Sequence, residues 1–500
     1  MNKHVRYFGA VLLFLLAALL VLAAVPASVL ARFRNRTARE RKAAVAAFAG
    51  IPASFGQDFD PEIAAAAETL RAYGFPFVSS GFSNHFEPPT AGELAAIRAW
   101  REGHPEAVAL FDRVSACPSN APAALPEPGG RDRVAAQCFW TWYHLPFFER
   151  GFLEEAAARG DRAAAEEFDR RLRNLDRRTA DFVLLGQSEI LRLGTFSQTL
   201  PIFPDAYLDE LDRDAGERLA GVGATIAARL ATILALETDD PPTNVPAHPE
   251  GTFFRRFADR IEDEMARANQ YRFYANAPAA LARLDDVRLH PRPVMKVHLG
   301  LVYGDFEAGM VREWPSLHTL FRTGGATLTG YAVPKAGKLH NAFCFERTAI
   351  AIERFRRRTG RLPERLEDLP DALPGCLPTG QPPAYRTGTF RVAGFRRPES
   401  GEEAERRSRA FEEETDREFL DPDFERTPAP GFRVRGYILS IRYPTPLDDP
   451  GLQLGHVDEE DEDCAGCFLW GTVVPDDDPE PVVEKPFGPA EEESWPPGEM

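Results

Sequence analysis

Cysteine is scarce in this chain: 500 residues hold six, Cys117, Cys138, Cys344, Cys376, Cys464 and Cys467. That density excludes a small disulfide-stapled scaffold. Cys117 and Cys138 flank the proline-rich "PSNAPAALPEPGG" and can close it. "DCAGC" sets Cys464 and Cys467 at CxxC spacing, which suits a redox pair or half a zinc site. No second CxxC follows and no thioredoxin-like pattern surrounds the first. A basic surplus is also missing, with 59 Lys and Arg against 76 Asp and Glu. Between His456 and Met500 stand 15 acids and one lysine, a net charge of −14, so the remaining body carries only −3. A nearly neutral body has little clustered positive surface to replace phosphate counterions, and nucleic acid is not expected as a partner.

Compact catalytic signatures are absent too. There is no GxSxG, no SxxK and no Walker loop. The ten histidines form neither HExxH nor HxH, and His290 and His298 in "HPRPVMKVH" fit no standard ligand spacing. "RTGGATLTGYAVPKAGK", residues 322–338, is glycine-rich and ends in lysines but lacks phosphate-loop spacing, so a flexible loop is expected. Glu154/Glu155 and Glu166/Glu167 are helical neighbours that diverge by about 100° and cannot face one substrate. The sequence therefore nominates no catalytic and no cofactor-binding residue. Metal binding stays open only at Asp458–Asp463, "DEEDED", where a solid acidic block lacks the alternating ligands and the glycine of a calcium loop.

What is present begins with a charge-free run, Phe8 to Ala31, long enough as a helix to cross roughly 30 Å of hydrocarbon. Its length favours a retained anchor over a cleaved signal, although Val29 and Ala31 make a passable cleavage site. Arg32, Arg34, Arg36, Arg39, Arg41 and Lys42 follow it, and the positive-inside rule would hold that side in the cytoplasm. Helical segments come next. "TAGELAAIRAWREG" opens with Thr90 and Glu93 in capping-box spacing and stops at Gly103. "HPEAVALFDRVSA" starts with Pro105, Phe168, Leu172, Leu175 and Thr179 share one helical face, and Asp205 is placed to cap a long helix. "ARGDRAAAEEF" has the look of a helical hairpin, but no clean repeat period accompanies it. The 43 prolines predict short or broken helices.

Three runs after residue 380 read as strands: "AYRTGTFRVAGF", "FRVRGYILSIRY" and "CFLWGTVVP". Between the first two lies a charged insertion, 396–428, which reads as a solvated helix. Before them, "ERFRRRTGRLPERLEDLP" (353–370) is a helix–Gly–Pro–helix joint. Phe345, Ala349, Ile352 and Phe355 form one apolar stripe, and Arg354, Arg356, Arg357 and Arg358 suit the negative end of the helix dipole. Gly360 stops the helix, and Leu362 and Pro363 start a short second one that buries Leu366 and Leu369.

The stretch "AIAIERFRRRTGRLPERLEDLPDALPGCLPTGQPPAYRTG" with the later "GYILSI" resembles a module of uncharacterised membrane-anchored bacterial proteins of the planctomycete and verrucomicrobial type. That module is similar to the globular end of type II secretion pseudopilins. The match covers residues 340–445. Leu362 stands where the joint usually has Tyr, Cys376 and Leu377 replace the usual Asp-Pro, and Phe14 stands where a pseudopilin's methylation run has Glu. The resemblance implies the fold of the module, a calcium-binding final loop as an option, and an outward-facing body, but not assembly into a pseudopilus.

The expectation is an α+β protein: anchor and basic stretch over 1–42, an all-helical domain over 43–330, a pseudopilin-like module of helix plus small antiparallel sheet over 338–474, and a disordered acidic tail over 475–500. Its partners are the membrane, through the N-terminal helix, and another protein. The expected role is binding or scaffolding in the envelope. The alternative is an envelope enzyme whose catalytic residues are too dispersed to form a motif.

Overall fold

The computed structural model describes residues 28–51, 87–116, 146–178, 187–239, 253–284, 332–377, 380–393, 397, parts of 402–410, 431–442, 452–454 and 464–476. Most of the apolar run, the segment 117–145, the linker 240–252, His290, His298, Asp458–Asp463 and the tail beyond 476 lie outside them. Among the described residues, no helix is long and apolar enough to cross a membrane.

The chain is mostly helical. Helices cover residues 28–47 (α1), Ala91–Gly103 (α2), Pro105–Ala116 (α3), 146–158 (α4), Arg162–Arg178 (α5), Gln187–Gly194 (α6), Phe196–Thr199 (α7), Asp205–Asp239 (α8), Phe253–Leu281 (α9) and Ala332–Thr359 (α10). The capping box forms as its spacing predicts: Thr90 N–H donates to Glu93 Oε2 at 2.7 Å, and Glu93 N–H donates to Thr90 Oγ1 at 3.2 Å. The Gly160–Asp161 turn joins α4 to α5, and Asp161 Oδ1 accepts from the Ala164 amide. Phe168, Leu172 and Leu175 are buried together, while Thr179 is outside the described residues.

Two helical expectations are corrected. The prolines do not keep helices short, because α8 has 35 residues and α10 has 28. Where proline enters a helix start, as Pro105 and Pro334 do, it sits in the first turn, where an amide has no intrahelical partner to lose. For the same reason "AVPKAGK" opens α10 and is not a loop.

The sheet has the order β1-β2-β4-β3. Strands β1 (Ala384–Ala393), β2 (Gly431–Arg442) and β4 (Cys464–Val474) are antiparallel and coincide with the three runs read from sequence. Strand β3 (Leu452–Leu454) pairs parallel to β4 and is too short to leave a period-2 signal. Alternation along β2 sends Tyr437, Leu439 and Ile441 toward α10 and Phe432, Val434 and Ile438 to the opposite face. Both faces are buried. The described residues within 402–410 of the insertion are helical, and Glu402, Arg406 and Arg409 are exposed, whereas Arg397 at its start is non-helical and buried.

Helix α10 is the centre of the molecule. It lies along α8 and also meets α6, α9 and β4. Phe345, Ala349 and Ile352 are buried against the sheet side, with the Phe345 ring stacked on Phe468 at 6.2 Å. Phe355 is only half-buried, because it lies in the last turns, where the helix leaves the core. The expectation of a single buried stripe falls short for a second reason: Ala342, Phe343, Ile350 and Glu346 are buried as well, so α10 is enclosed nearly all round. Gly360 (φ 75°) stops it as expected. The second helix of the joint shrinks to a 3-10 turn, Leu366–Asp368, because Asp368 folds back to accept from the Arg365 amide. Leu369 is buried and Leu366 half-buried beside it. Close helix approach is visible at Gly223 of α8, where a Cβ would come within 2.6 Å of the Leu281 carbonyl.

Candidate functional site

The arginines of the joint do not wait at the helix end for a dipole alone. Arg347 Nε donates to Asp212 Oδ1 at 2.8 Å, and Arg354 bridges Asp212 at 3.0 Å and Asp209 at 2.6 Å. Arg357 reaches Asp205 at 2.8 Å and the Leu200 carbonyl at 2.5 Å, so Asp205 serves α10 as a carboxylate partner from the first turn of α8. Arg356 and Arg357 both pair with buried Glu353. The basic run of α10 thus lies on the acidic opening of α8.

Deeper in the same seam, α5, α6, α8 and α10 converge on Arg192. Its side chain is 0% exposed. Nη2 lies 2.6 Å from Glu189 and 2.5 Å from Glu346, and Nη1 lies 3.4 Å from Asp169. Asp169 also accepts from Tyr207 Oη at 2.7 Å and from Arg173 Nε at 3.2 Å. Arg173 continues to Glu210 and Asp214, and Arg218 donates to the second oxygen of Glu189 at 2.8 Å. Helical geometry explains the cluster: residues three and four apart share a face, which puts Glu189 beside Arg192 and Asp169 beside Arg173.

Three acids and one guanidinium out of water cannot all ionise freely. Burial pushes Glu346 up to about 8; Arg192 opposes it, and burial together with the smaller effect of the Glu189 charge prevails. Glu189 is penalised by burial but falls to about 2, because Arg192 and Arg218 hold its charge. The two carboxyls therefore share one proton, which resides on Glu346. Among the described residues no hydrogen-bond partner reaches the oxygens of Glu346, and Arg192 Nη2 lies 2.5 Å from Oε1 without the geometry of a directed hydrogen bond. Burial opposes the charge on Arg192 but the three acids raise it well above its ordinary value, and Tyr207 is raised by burial and by Asp169. A split carboxyl pair is chemically an acid and a base, but Glu189 and Glu346 are 0% and 1% exposed, which closes this pair to a substrate atom.

A second cluster closes a shallow cleft. Arg397 donates to Glu154 at 2.8 Å, to the Glu87 carbonyl at 2.7 Å and to Glu93 at 3.3 Å. Arg150 takes the other oxygen of Glu154 at 3.0 Å. Burial works against ionised Glu154, but Arg397 and Arg150 still hold it below the usual carboxylate range. The space among Pro89, Ile97, Phe147 and these charges is about 20 Å³, room for roughly one water. Adjacent Glu155 points elsewhere, to Arg98 and Arg101, as the helical divergence of the pair requires.

A third group was not nominated from sequence. His340 and Cys344 stand four apart on α10, and Cys376 lies opposite in the turn before β1. Both thiols are free and buried. Cys464 and Cys467 fall in β4, and Asp458–Asp463 is outside the described residues. Among the described residues, no set of three or more His, Cys, Asp or Glu is arranged to hold a metal ion. The signals for Arg192 and for His340/Cys344 were helical spacings, but each needs a partner from a distant helix or turn, which no local pattern announces. No family model, no curated protein and no solved structure matches this chain.

Proposed function

We propose that this chain is a single-pass, membrane-anchored envelope protein with its bulk outside the cytoplasm. In this reading its helical part and its C-terminal helix-and-sheet module form one rigid unit that binds or scaffolds a protein partner and does not catalyse a reaction. The observation that carries it is the pairing of α10 with the preceding helices: Arg347 and Arg354 on Asp212 and Asp209, Arg357 on Asp205, and Glu346 on Arg192. Charges committed to joining two parts of one chain serve rigidity. A rigid body suits binding, because ordering costs are met before the partner arrives. Helix α1 supports the anchored reading. Its Phe33 and Ala44 and, in the turn after it, Phe48 are buried, Arg34 pairs with Glu264, and Thr37 donates to the Glu264 carbonyl, so the residues that follow the apolar run are seated on the body.

The test has three parts. Carbonate-washed membranes retain the full-length chain, and a soluble form starting near Arg32 would overturn the anchor. Protease added to spheroplasts removes the body, and full protection would reverse its orientation. Limited proteolysis of the detergent-solubilised chain leaves α8, α10 and the sheet in one resistant core, which the double variant Asp209→Arg, Asp212→Arg loosens. The rival reading is an envelope enzyme whose catalytic residues are dispersed. A reproducible turnover found in the purified chain would replace the scaffold reading.

A further inference from the structure

Strands β1, β2 and β4 carry five arginines, Arg386, Arg391, Arg433, Arg435 and Arg442, and no acid. Three of the five share one face at one end of the sheet. The register sets Arg391 of β1 opposite Arg433 of β2, and Arg435, two residues on, between Thr389 and Thr472. Residues directly opposed across antiparallel strands lie on one face. It is the face that turns Tyr437 and Leu439 toward α10, continued past Tyr437. Arg391 and Arg435 are exposed and Arg433 is half-buried. The Arg391 side chain is laid across Gly431, where a Cβ would come within 2.8 Å of its Nε. Like charges directly opposed destabilise a strand pair, so this row calls for a counter-charge that the strands themselves do not supply.

The acidic tail starts at the same end of the sheet. Val474, the last residue of β4, is the strand partner of Arg433, and Arg433 Nη1 donates to the Asp476 carbonyl at 2.9 Å. The chain leaving β4 is therefore held at the arginine row. Asp476, Asp477, Asp478 and Glu480 stand within six residues of the strand end, and Glu484 follows. At roughly 3.3 Å per extended residue, the first four begin within about 20 Å of Arg433. Pro475, Pro479 and Pro481 lack amide donors and cannot extend the ladder, which leaves side-chain charge as the means of attachment.

We infer that the start of the tail, Asp476–Glu484, docks in cis on the row formed by Arg391, Arg433 and Arg435. The segment holds five acids and no base, against three arginines. Guanidinium groups bind carboxylates through paired hydrogen bonds. A single exposed pair is weak, but several on one segment act together. The tether decides the occupant, because a short linker presents the tail at about millimolar concentration beside its site. On the binding role proposed above, the tail is a built-in competitor, and an acidic segment of a partner has to displace it. The docking itself stands or falls without that role.

The experiment footprints arginines with phenylglyoxal on the full-length chain in non-ionic detergent at low salt, read by peptide mass mapping. The comparison is a full-length variant with Asp476→Asn, Asp477→Asn, Asp478→Asn, Glu480→Gln and Glu484→Gln, all past the last strand. Arg391 and Arg435 are expected to react about fivefold faster in that variant, and equally fast in the wild type once about 0.5 M salt screens the contact. Arg361, paired with Glu364 in the joint, is the reference and keeps its rate in the variant. From the other side, Arg391→Glu combined with Arg435→Glu is expected to speed cleavage before Asp477 by an Asp-specific endoprotease about fivefold. Both arginines are exposed, so the fold is kept, which an unchanged Tm checks. The inference is overturned if Arg391 and Arg435 react at equal rates in the wild type and the uncharged-tail chain. Equal and slow rates would assign the row to another cover, such as the insertion. It also fails if charge reversal leaves the cleavage rate unchanged, or if the wild type is a dimer that the uncharged tail dissolves, which would seat the tail on a second copy.

Discussion

Helix α10 separates two seams of equal dryness and opposite material. Toward β2 and β4 it presents Phe345, Ala349 and Ile352 to Tyr437, Leu439 and Phe468. Toward α5, α6 and α8 it presents Glu346, whose partners are Arg192, Glu189 and, through Arg192, Asp169. The apolar seam is non-directional and tolerates small shifts. The charged seam works only with every partner in place, because each buried charge is expensive when alone. Fold stability and register are thus divided: the sheet side supplies cohesion, and the helix side specifies which helices meet and at what height.

The comparison breaks hardest at Arg192. Arg192→Ala leaves Asp169, Glu189 and Glu346 without their common cation and is expected to cost about 3–5 kcal/mol in denaturant unfolding. A loss under about 1 kcal/mol would mean that the seam is wet or rearranges. On the apolar side, Phe468→Ala is expected to cost about 3–4 kcal/mol, because its ring is buried among Phe196, Phe345 and Tyr437. Phe355→Ala, on the same stripe but half-buried, is expected to cost about half as much. Equal losses would show that α10 stays enclosed to its last turn.

The pH response sharpens the comparison. Glu346 in the folded chain holds its proton up to about 8, whereas an unfolded glutamate releases it near its ordinary value of 4.5. Between these values the folded state binds more protons than the unfolded state, so this group's stabilising contribution is lost as pH rises toward 8, by at most about 1.4 kcal/mol per pH unit. Glu189, held at about 2, has the opposite sign and loses its contribution as pH falls from 4.5 toward 2. Glu346→Gln is expected to flatten the decline of Tm between pH 5 and 8, while Phe468→Ala shifts the whole curve without changing its slope there. The smallest effect belongs to the rim. Arg354→Ala, whose partner Asp209 is 72% exposed, is expected to cost less than about 1 kcal/mol and to lose that cost in high salt.

The three long strands, the capping box at Thr90 and Glu93, the stop at Gly360 and the Phe345–Ala349–Ile352 stripe were legible because each is a local pattern with a local cause. Period-2 alternation, a side chain reaching its own helix end and a left-handed backbone need no knowledge of distant residues. The start of α10 was misread because glycine and proline near a helix N-terminus look like a loop until the orphan amides of the first turn are considered. Strand β3 was missed because three residues carry no period.

From the amino acids alone came the class of structure, the apolar face of the central helix and the near-neutral charge of the body. Only the tertiary structure decided that Arg192 gathers acids from three segments, that the joint's arginines lie on Asp205, Asp209 and Asp212, and that the turn carrying Cys376 stands against His340 and Cys344. The reason is physical. An apolar side chain declares its burial by aversion to water, whatever it later touches. A charged or nucleophilic side chain looks solvated in sequence, and only folding, by bringing its partner within about 3 Å and removing water, changes what it is.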